Sequence, residues 1–262
     1  MIPRADIVAW RSSVSWRSDA QVEQELILSR PLVELFSDAF LAENLAFRGG
    51  TALHKLHLAP ASRYSEDLDF VQIKAGPIGS IMDAIHEVLD PLLGTPTTKQ
   101  KQASVVLIYR MASEIPPIIN LRLKIEVNTR EHFAVLGFAK WPFEVKSRWF
   151  SRRSDLTTYS LNELLGTKLR ALYQRRKGRD LFDLWLAFTQ GGAEPPRVVE
   201  VFQRYMEVSG RTVTRENFRR NLFSKMNNHD FLHDTDGLLR PGVLYDHQEA
   251  YHFVNEFVIG LL

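Results

Sequence analysis

Eleven residues from Ile118 to Asn128, IINLRLKIEVN, alternate with period two. Ile119, Leu121, Leu123, Ile125 and Val127 take one side, and Asn120, Arg122, Lys124, Glu126 and Asn128 take the other. Successive side chains of a strand leave opposite faces. This segment is therefore predicted to lie in a sheet with one covered and one polar face. A helical layer is available to cover it. From Asp19 to Glu43, Val22, Leu26, Ile27, Leu32, Leu35, Phe36 and Phe40 recur at helical spacing, as one long helix or two broken at Pro31.

The neighbouring segments fit the same architecture. NLAFRGG reads as a short strand entering a glycine turn, and TALHKL as a short helix opening at Thr51. EDLDFVQI alternates Asp67 and Asp69 against Leu68 and Phe70, as a strand with one wet face does. A helix is expected from about Ile78 to Leu93, a strand over SVVLIYRM, and another over FEVKSRWF. After about Tyr159 the pattern turns helical, with segments in SLNELLGTKLRALYQRR, GRDLFDLWLAFTQ, Pro196 to Val208, Thr214 to Lys225 and Asp246 to Leu262. The expected organisation is an α/β (α+β) domain over residues 1–158, with N-terminal helices and a small mixed sheet, followed by a helical domain over 159–262.

Composition excludes several classes. Apolar residues at 45% and charged residues at 24% describe an ordinary globular chain rather than a disordered one. There is no cysteine, which removes disulfides, thiolate metal sites and cysteine nucleophiles. The N-terminus lacks the apolar core of a signal peptide and no segment has membrane-spanning length, so a cytoplasmic location without membrane contact is expected. A net charge of +2 does not announce a nucleic-acid binder, which leaves that reading to local clusters.

The chemistry concentrates between Phe47 and Gln72. Asp67 and Asp69, two residues apart on a strand, share a face, and like charges so close repel. If the strand carrying Glu126 is a neighbour, three carboxylates converge. Three such groups on a rigid sheet suit Mg²⁺, or Mn²⁺, with the metal rather than protein cations offsetting the repulsion. Paired divalent ions would clamp the attacking and leaving oxygens of an in-line phosphoryl displacement. Gly49 and Gly50 let the backbone approach a ligand, and with Thr51 and the start of the following helix they form a seat for a triphosphate. His54 and His57, spaced i and i+3, lack a third ligand nearby in sequence, so no zinc site is read.

RGGTALHKL followed by RYSEDLDF resembles the first signature of the DNA-polymerase-β-like nucleotidyltransferases, and more closely the AbiEii/MenT-type toxin branch. VEQELIL upstream and KLRALYQRRKGRDLFDL from Lys168 to Leu184 are similar to that branch too, so the likeness covers roughly residues 19 to 190. The resemblance implies that Gly49, Gly50 and Thr51 hold nucleotide phosphates and that Asp67 and Asp69 bind metal. It implies that Glu126 is the third acid, activating the acceptor hydroxyl, that Lys168 reaches the triphosphate, and that Asp183 supports the site or the nucleotide. Fifteen residues separate Thr51 from Asp67, longer than in many polymerase-β relatives. HLAPASRYSE must fold back for both ends to meet, with Arg63 and Ser65 then facing the phosphates.

The implied reaction is Mg²⁺-dependent transfer of a nucleoside monophosphate from an NTP to a hydroxyl. The implied acceptor is the 3′ end of tRNA, so that translation is blocked, and the implied partner is a cognate antitoxin encoded nearby. The basic clusters KSRWFSRR, RRKGR and RTVTRENFRRNLFSK fit an RNA acceptor. A small-molecule or protein acceptor, or a nucleotide-binding protein without catalysis, are the alternatives.

Overall fold

The computed structural model describes residues 2–14 and 16–262. The chain divides into two compact units, Met1–Phe133 with Phe138–Tyr159, and Ala134–Gly137 with Ser160–Leu262. Unit 1 begins with helices α1 (Arg4–Trp10), α2 (Asp19–Ser37) and α3 (Ala39–Asn44). Strand β1 (Leu45–Arg48) leads into the single turn α4 (Gly49–Ala52), which continues as a π-helical turn, Leu53–His57. Then come β2 (Asp67–Gln72), α5 (Gly79–Leu93), β3 (Thr97–Gln100), β4 (Ser104–Ala112), β5 (Asn120–Asn128), β6 (Phe138–Lys146) and β7 (Ser151–Tyr159). They form one seven-stranded sheet in the order β3-β4-β5-β2-β1-β7-β6. The pairs β2–β5 and β1–β7 are parallel and the others antiparallel, so the sheet is mixed.

Helix α2 opens on a capping box between Ser18 and Gln21, and packs on β5, β6, β7 and α5. It continues through Pro31, one of the two readings that the sequence left open. An interior proline costs about 3 kcal/mol. Leu26, Leu28, Leu32, Val33 and Leu35, on both sides of it, are fully buried, each worth roughly 1.5–3 kcal/mol, and that sum holds the helix together. The break falls instead at Asp38, whose extended backbone ends α2 and whose carboxylate accepts from the Leu41 N–H to start α3. Phe36 of α2 meets Phe70 of β2, which meets Phe47 of β1, with ring centroids 6.0 and 5.5 Å apart. The face bearing Phe47 and Phe70 is therefore the covered one.

β5 buries Leu121, Leu123, Ile125 and Val127 as the alternation predicts, but Ile119 precedes the strand and is 44% exposed. FEVKSRWF is not one strand. It is the end of β6 and the turn into β7, where the Ser147 hydroxyl accepts from the Phe150 N–H. The sheet is larger than the small one expected. β3, an all-exposed edge strand of sequence TTKQ, has no apolar side for a pattern to show.

Unit 2 holds α6 (Leu161–Gln174), α7 (Gly178–Gln190), α8 (Pro195–Val208), α9 (Arg215–Met226), α10 (His229–Leu232) and α11 (His247–Phe257), with a final 3₁₀ turn, Ile259–Leu261. α6 packs against α7, α8 and α9. The fully buried Glu163 carboxylate of α6 accepts from the N–H groups of Val135 and Leu136 and from the Tyr205 hydroxyl, which ties 134–137 into this unit. At the other end of α6 the carbonyls of Leu172 and Tyr173 accept from the Lys225 amine of α9. The last carbonyls of a helix have no partner within it, so a buried lysine serves them well.

Burial pushes the Lys225 amine down to about 8. In the unfolded chain it keeps its proton up to about pH 10.4. Between these values the unfolded state binds more protons, so stability rises with pH. Urea unfolding at pH 8 and pH 10 is expected to show that rise in the native chain and a flatter response in Lys225→Met.

Candidate active site

The register of three strands builds the site. β1 sets Arg48 opposite Asp69, and β5 sets Glu126 opposite Asp69 on its other side. One step along, Lys124 stands opposite Asp67. Cross-strand partners share a face, so Arg48, Asp69 and Glu126 form one row and Asp67 and Lys124 the next. The face is the polar one, since Leu68 and Phe70 point the other way. Asp67, Asp69 and Glu126 thus come to one face, as the strand patterns suggested.

The repulsion between them is met by protein cations, which the sequence reading did not anticipate. The Lys124 amine lies 2.8 Å from Asp67 Oδ2 and 3.3 Å from Glu126 Oε2. Glu126 Oε1 accepts from the Lys101 amine at 3.0 Å and from the Ser104 hydroxyl at 2.6 Å. Burial alone would raise the Glu126 carboxyl, but Ser104, Lys101 and Lys124 hold it below the ordinary glutamate range. Asp69 moves the other way. Burial pushes it up, the charges of Asp67 and Glu126 add to that, and Lys124 and Arg48 oppose it. Lys124 was legible only as one polar residue of β5. Its place among the carboxylates depends on β2 being the neighbour of β5. Arg48 gave no signal beyond preceding the glycines. Its guanidinium also pairs with Glu131 at 2.7 Å.

The glycine turn is shaped by the acids and by the loop between them. A Cβ on Gly49 would stand 2.5 Å from Asp69 Oδ2, and Gly49 has φ +82°. A Cβ on Gly50 would stand 2.3 Å from the guanidinium of Arg63, which is buried. Both glycines therefore make room for side chains of the site itself. Thr51 is not the first residue of a helix, because the turn opens at Gly49. Its hydroxyl donates to the Asp67 carbonyl at 2.6 Å and, having one proton, accepts from Ser65 at 2.7 Å. Thr51 and Ser65 thus fix the start of β2, and Arg63 packs on the glycine turn. HLAPASRYSE folds back as expected, with Ser65 bonded to Thr51 and Arg63 against Gly50.

Lys168 and Asp183 lie in unit 2. The sequence reading sent Lys168 to the triphosphate. Its side chain is 8% exposed, and its amine sits 3.1 Å from Asp180 Oδ1 and 2.9 Å from Asp183 Oδ2, both carboxylates being fully buried. Arg175 closes the cluster with two bonds to Asp180, of 2.7 and 2.8 Å. Burial would raise Asp180, but Lys168 and Arg175 hold it below the ordinary range. The basic run RRKGR is spent in the same way, since Lys177 and Arg179 both pair with Asp234. Arg176 of that run is exposed, as are Arg148 and Arg153 on the β6–β7 hairpin of unit 1.

Two of the three carboxylates on this face could hold a divalent cation. Asp67 Oδ1 is buried with no hydrogen-bond partner, an acceptor that a cation would satisfy, and Asp69 lies on the same face. Among the described residues no three His, Asp or Glu side chains are disposed as a metal cage. Glu126 is turned to its lysines instead.

Comparison with known proteins places the chain. The model of the family described as "Nucleotidyl transferase AbiEii toxin, Type IV TA system" matches residues 30–252. No curated protein matches it. Among solved structures it is similar to MenT4, a nucleotidyltransferase toxin of Mycobacterium tuberculosis, at 16% identity over 98% of this chain and 90% of that one, with a TM-score of 0.66. It is also similar to JHP933 from Helicobacter pylori, at 19% identity over 94% of this chain and 93% of that one, with a TM-score of 0.58. At such identities the likeness is one of fold. No helix among the described residues is long and apolar enough to cross a membrane.

Two substitutions test the geometry. Gly49→Ala meets a left-handed backbone and the Asp69 carboxylate together, so urea unfolding is expected to show a loss of at least about 1–2 kcal/mol. Lys168→Ala leaves two buried carboxylates short of a cation, a loss of roughly 3–5 kcal/mol. Lys168→Arg, which keeps the charge, is expected to recover part of that stability.

Proposed function

The chain belongs to the AbiEii nucleotidyltransferase toxin family of type IV toxin–antitoxin systems, and from that premise we propose that it adds a nucleoside monophosphate to the 3′ end of tRNA. Blocking translation would be the toxic effect. Membership brings with it an NTP substrate and a cognate antitoxin. The observation that carries the reading is the meeting of Asp67, Asp69 and Glu126 on one sheet face, with Gly49 pressed against Asp69.

The acceptor oxygen attacks the α-phosphorus, the bond to the bridging oxygen breaks, and pyrophosphate leaves. The acceptor proton goes to a carboxylate of this face. Glu126, the base that the resemblance implied, has both oxygens turned to N–H and O–H donors. Asp67 and Asp69 would hold Mg²⁺ or Mn²⁺, which when bound neutralises charge on the phosphates. Catalysis on such a face is mostly positioning and charge compensation. Exposed Arg148, Arg153 and Arg176 suit a polyanionic acceptor, and dependence on salt would follow.

Incubation of the protein with each labelled NTP and total RNA is expected to put label on tRNA, and Asp69→Ala is expected to lower it by 100-fold or more, on the order of what loss of one electrostatic catalytic group costs. Growth inhibition should fall with it. Label on protein or small molecules instead would move the acceptor. Toxicity that survives Asp69→Ala would point to action by binding alone.

A further inference from the structure

On a sheet face built for phosphoryl transfer, paired divalent ions are one solution to charge compensation. Here we infer that the face holds a single divalent cation, at Asp67 and Asp69, and that the Lys124 ammonium occupies the place of a second. The inference rests on the nucleotidyltransferase reading of this site and concerns how that site is charged.

The contacts leave room for only one ion. Both oxygens of Glu126 are engaged, Oε1 by Lys101 and Ser104 and Oε2 by Lys124. For Glu126 to become a metal ligand, it would have to give up contacts to two ammonium groups and one hydroxyl. Asp67 Oδ2 is likewise taken, by Lys124 at 2.8 Å. What stays open is Asp67 Oδ1, buried and unbonded. Asp69 is its companion on the same face, two residues along β2. These two carboxylates define one hard-cation position, which Mg²⁺ would complete with waters and phosphate oxygens.

Charge supports the same count. Asp67, Asp69 and Glu126 carry three negative charges. One divalent ion and Lys124 carry three positive charges, while Arg48 is balanced by Glu131 and Lys101 stands at the rim with its side chain 53% exposed. Lys124 is held from both sides, by Asp67 on the neighbouring strand and by Glu126 two residues along its own. Glu126 is then a positioning residue for Lys124.

Counting bound Mn²⁺ tests this directly, by the loss of the free-ion electron paramagnetic resonance signal on titrating nucleotide-free protein. The wild type is expected to bind one ion per chain, Asp67→Asn none and Lys124→Arg one. Lys124→Ala, which frees Asp67 Oδ2 and Glu126 Oε2, is expected to bind two. A wild-type count of two or of zero overturns the inference, as does a folded Lys124→Ala protein that binds no more than the wild type. If Lys124→Ala does not fold, the wild-type and Lys124→Arg counts decide. A protein that binds one ion yet labels no RNA keeps the single-cation site and sinks the RNA acceptor. One that labels RNA while binding two ions does the reverse.

Discussion

The pairing of β2 with β5 is the constraint on which the site depends. Their parallel register sets Asp69 beside Glu126 and Asp67 beside Lys124. A slip of one residue would turn the acids into the core and bring Leu68 and Phe70 out. The slip is prevented from the other face. Leu68, Phe70, Leu123, Ile125 and Val127 are buried there, and α2 lies across it. The hydrophobic layer thus fixes the charged one, and the charged face needs no favourable energy of its own to be held in place.

Around that register, groups that looked like ligand contacts are used to build the site. The Thr51 hydroxyl ties the glycine turn to the first residue of β2. Gly49 admits Asp69, and Gly50 admits Arg63. Lys124 and Lys101 hold Glu126. Thr51, Asp69, Arg63, Glu126 and the two lysines are polar groups that would cost free energy if buried without a partner. Were such a face to take a polyanion and a cation in turn, its own charges would have to be settled beforehand, which is the sense of preorganisation in electrostatic catalysis. In unit 2 the cluster of Lys168, Asp180, Asp183 and Arg175 is settled in the same way, with two cations for two buried carboxylates.

Legibility in the sequence followed the range of the interaction. β5 and β2 could be read because alternation is a local property of the chain, and α5 because its periodicity is too. Pro31 left two readings open because its penalty is local, while the burial that keeps the helix whole is against distant strands. β3 was invisible because an exposed edge strand needs no pattern. FEVKSRWF looked like one strand because its turn carries aromatic residues, Trp149 and Phe150, that pack against Arg30 rather than a typical turn composition. In RRKGR the cations were legible, but Asp234, which takes two of them, lies 55 residues from Arg179 and further still from Lys177.

The sequence alone determined which residues could carry the chemistry. Two acids at i and i+2 on a strand share a face whatever surrounds them, and glycine is needed wherever the backbone turns left-handed or something must come close. It also determined the family, through motifs short enough to survive in one stretch of chain. The tertiary structure decided what stands between those acids. Which strand lies beside β2, and in what register, is a long-range outcome of core packing. That outcome brings Lys124 and Glu126 to Asp67 and Asp69, and local pattern has no access to it.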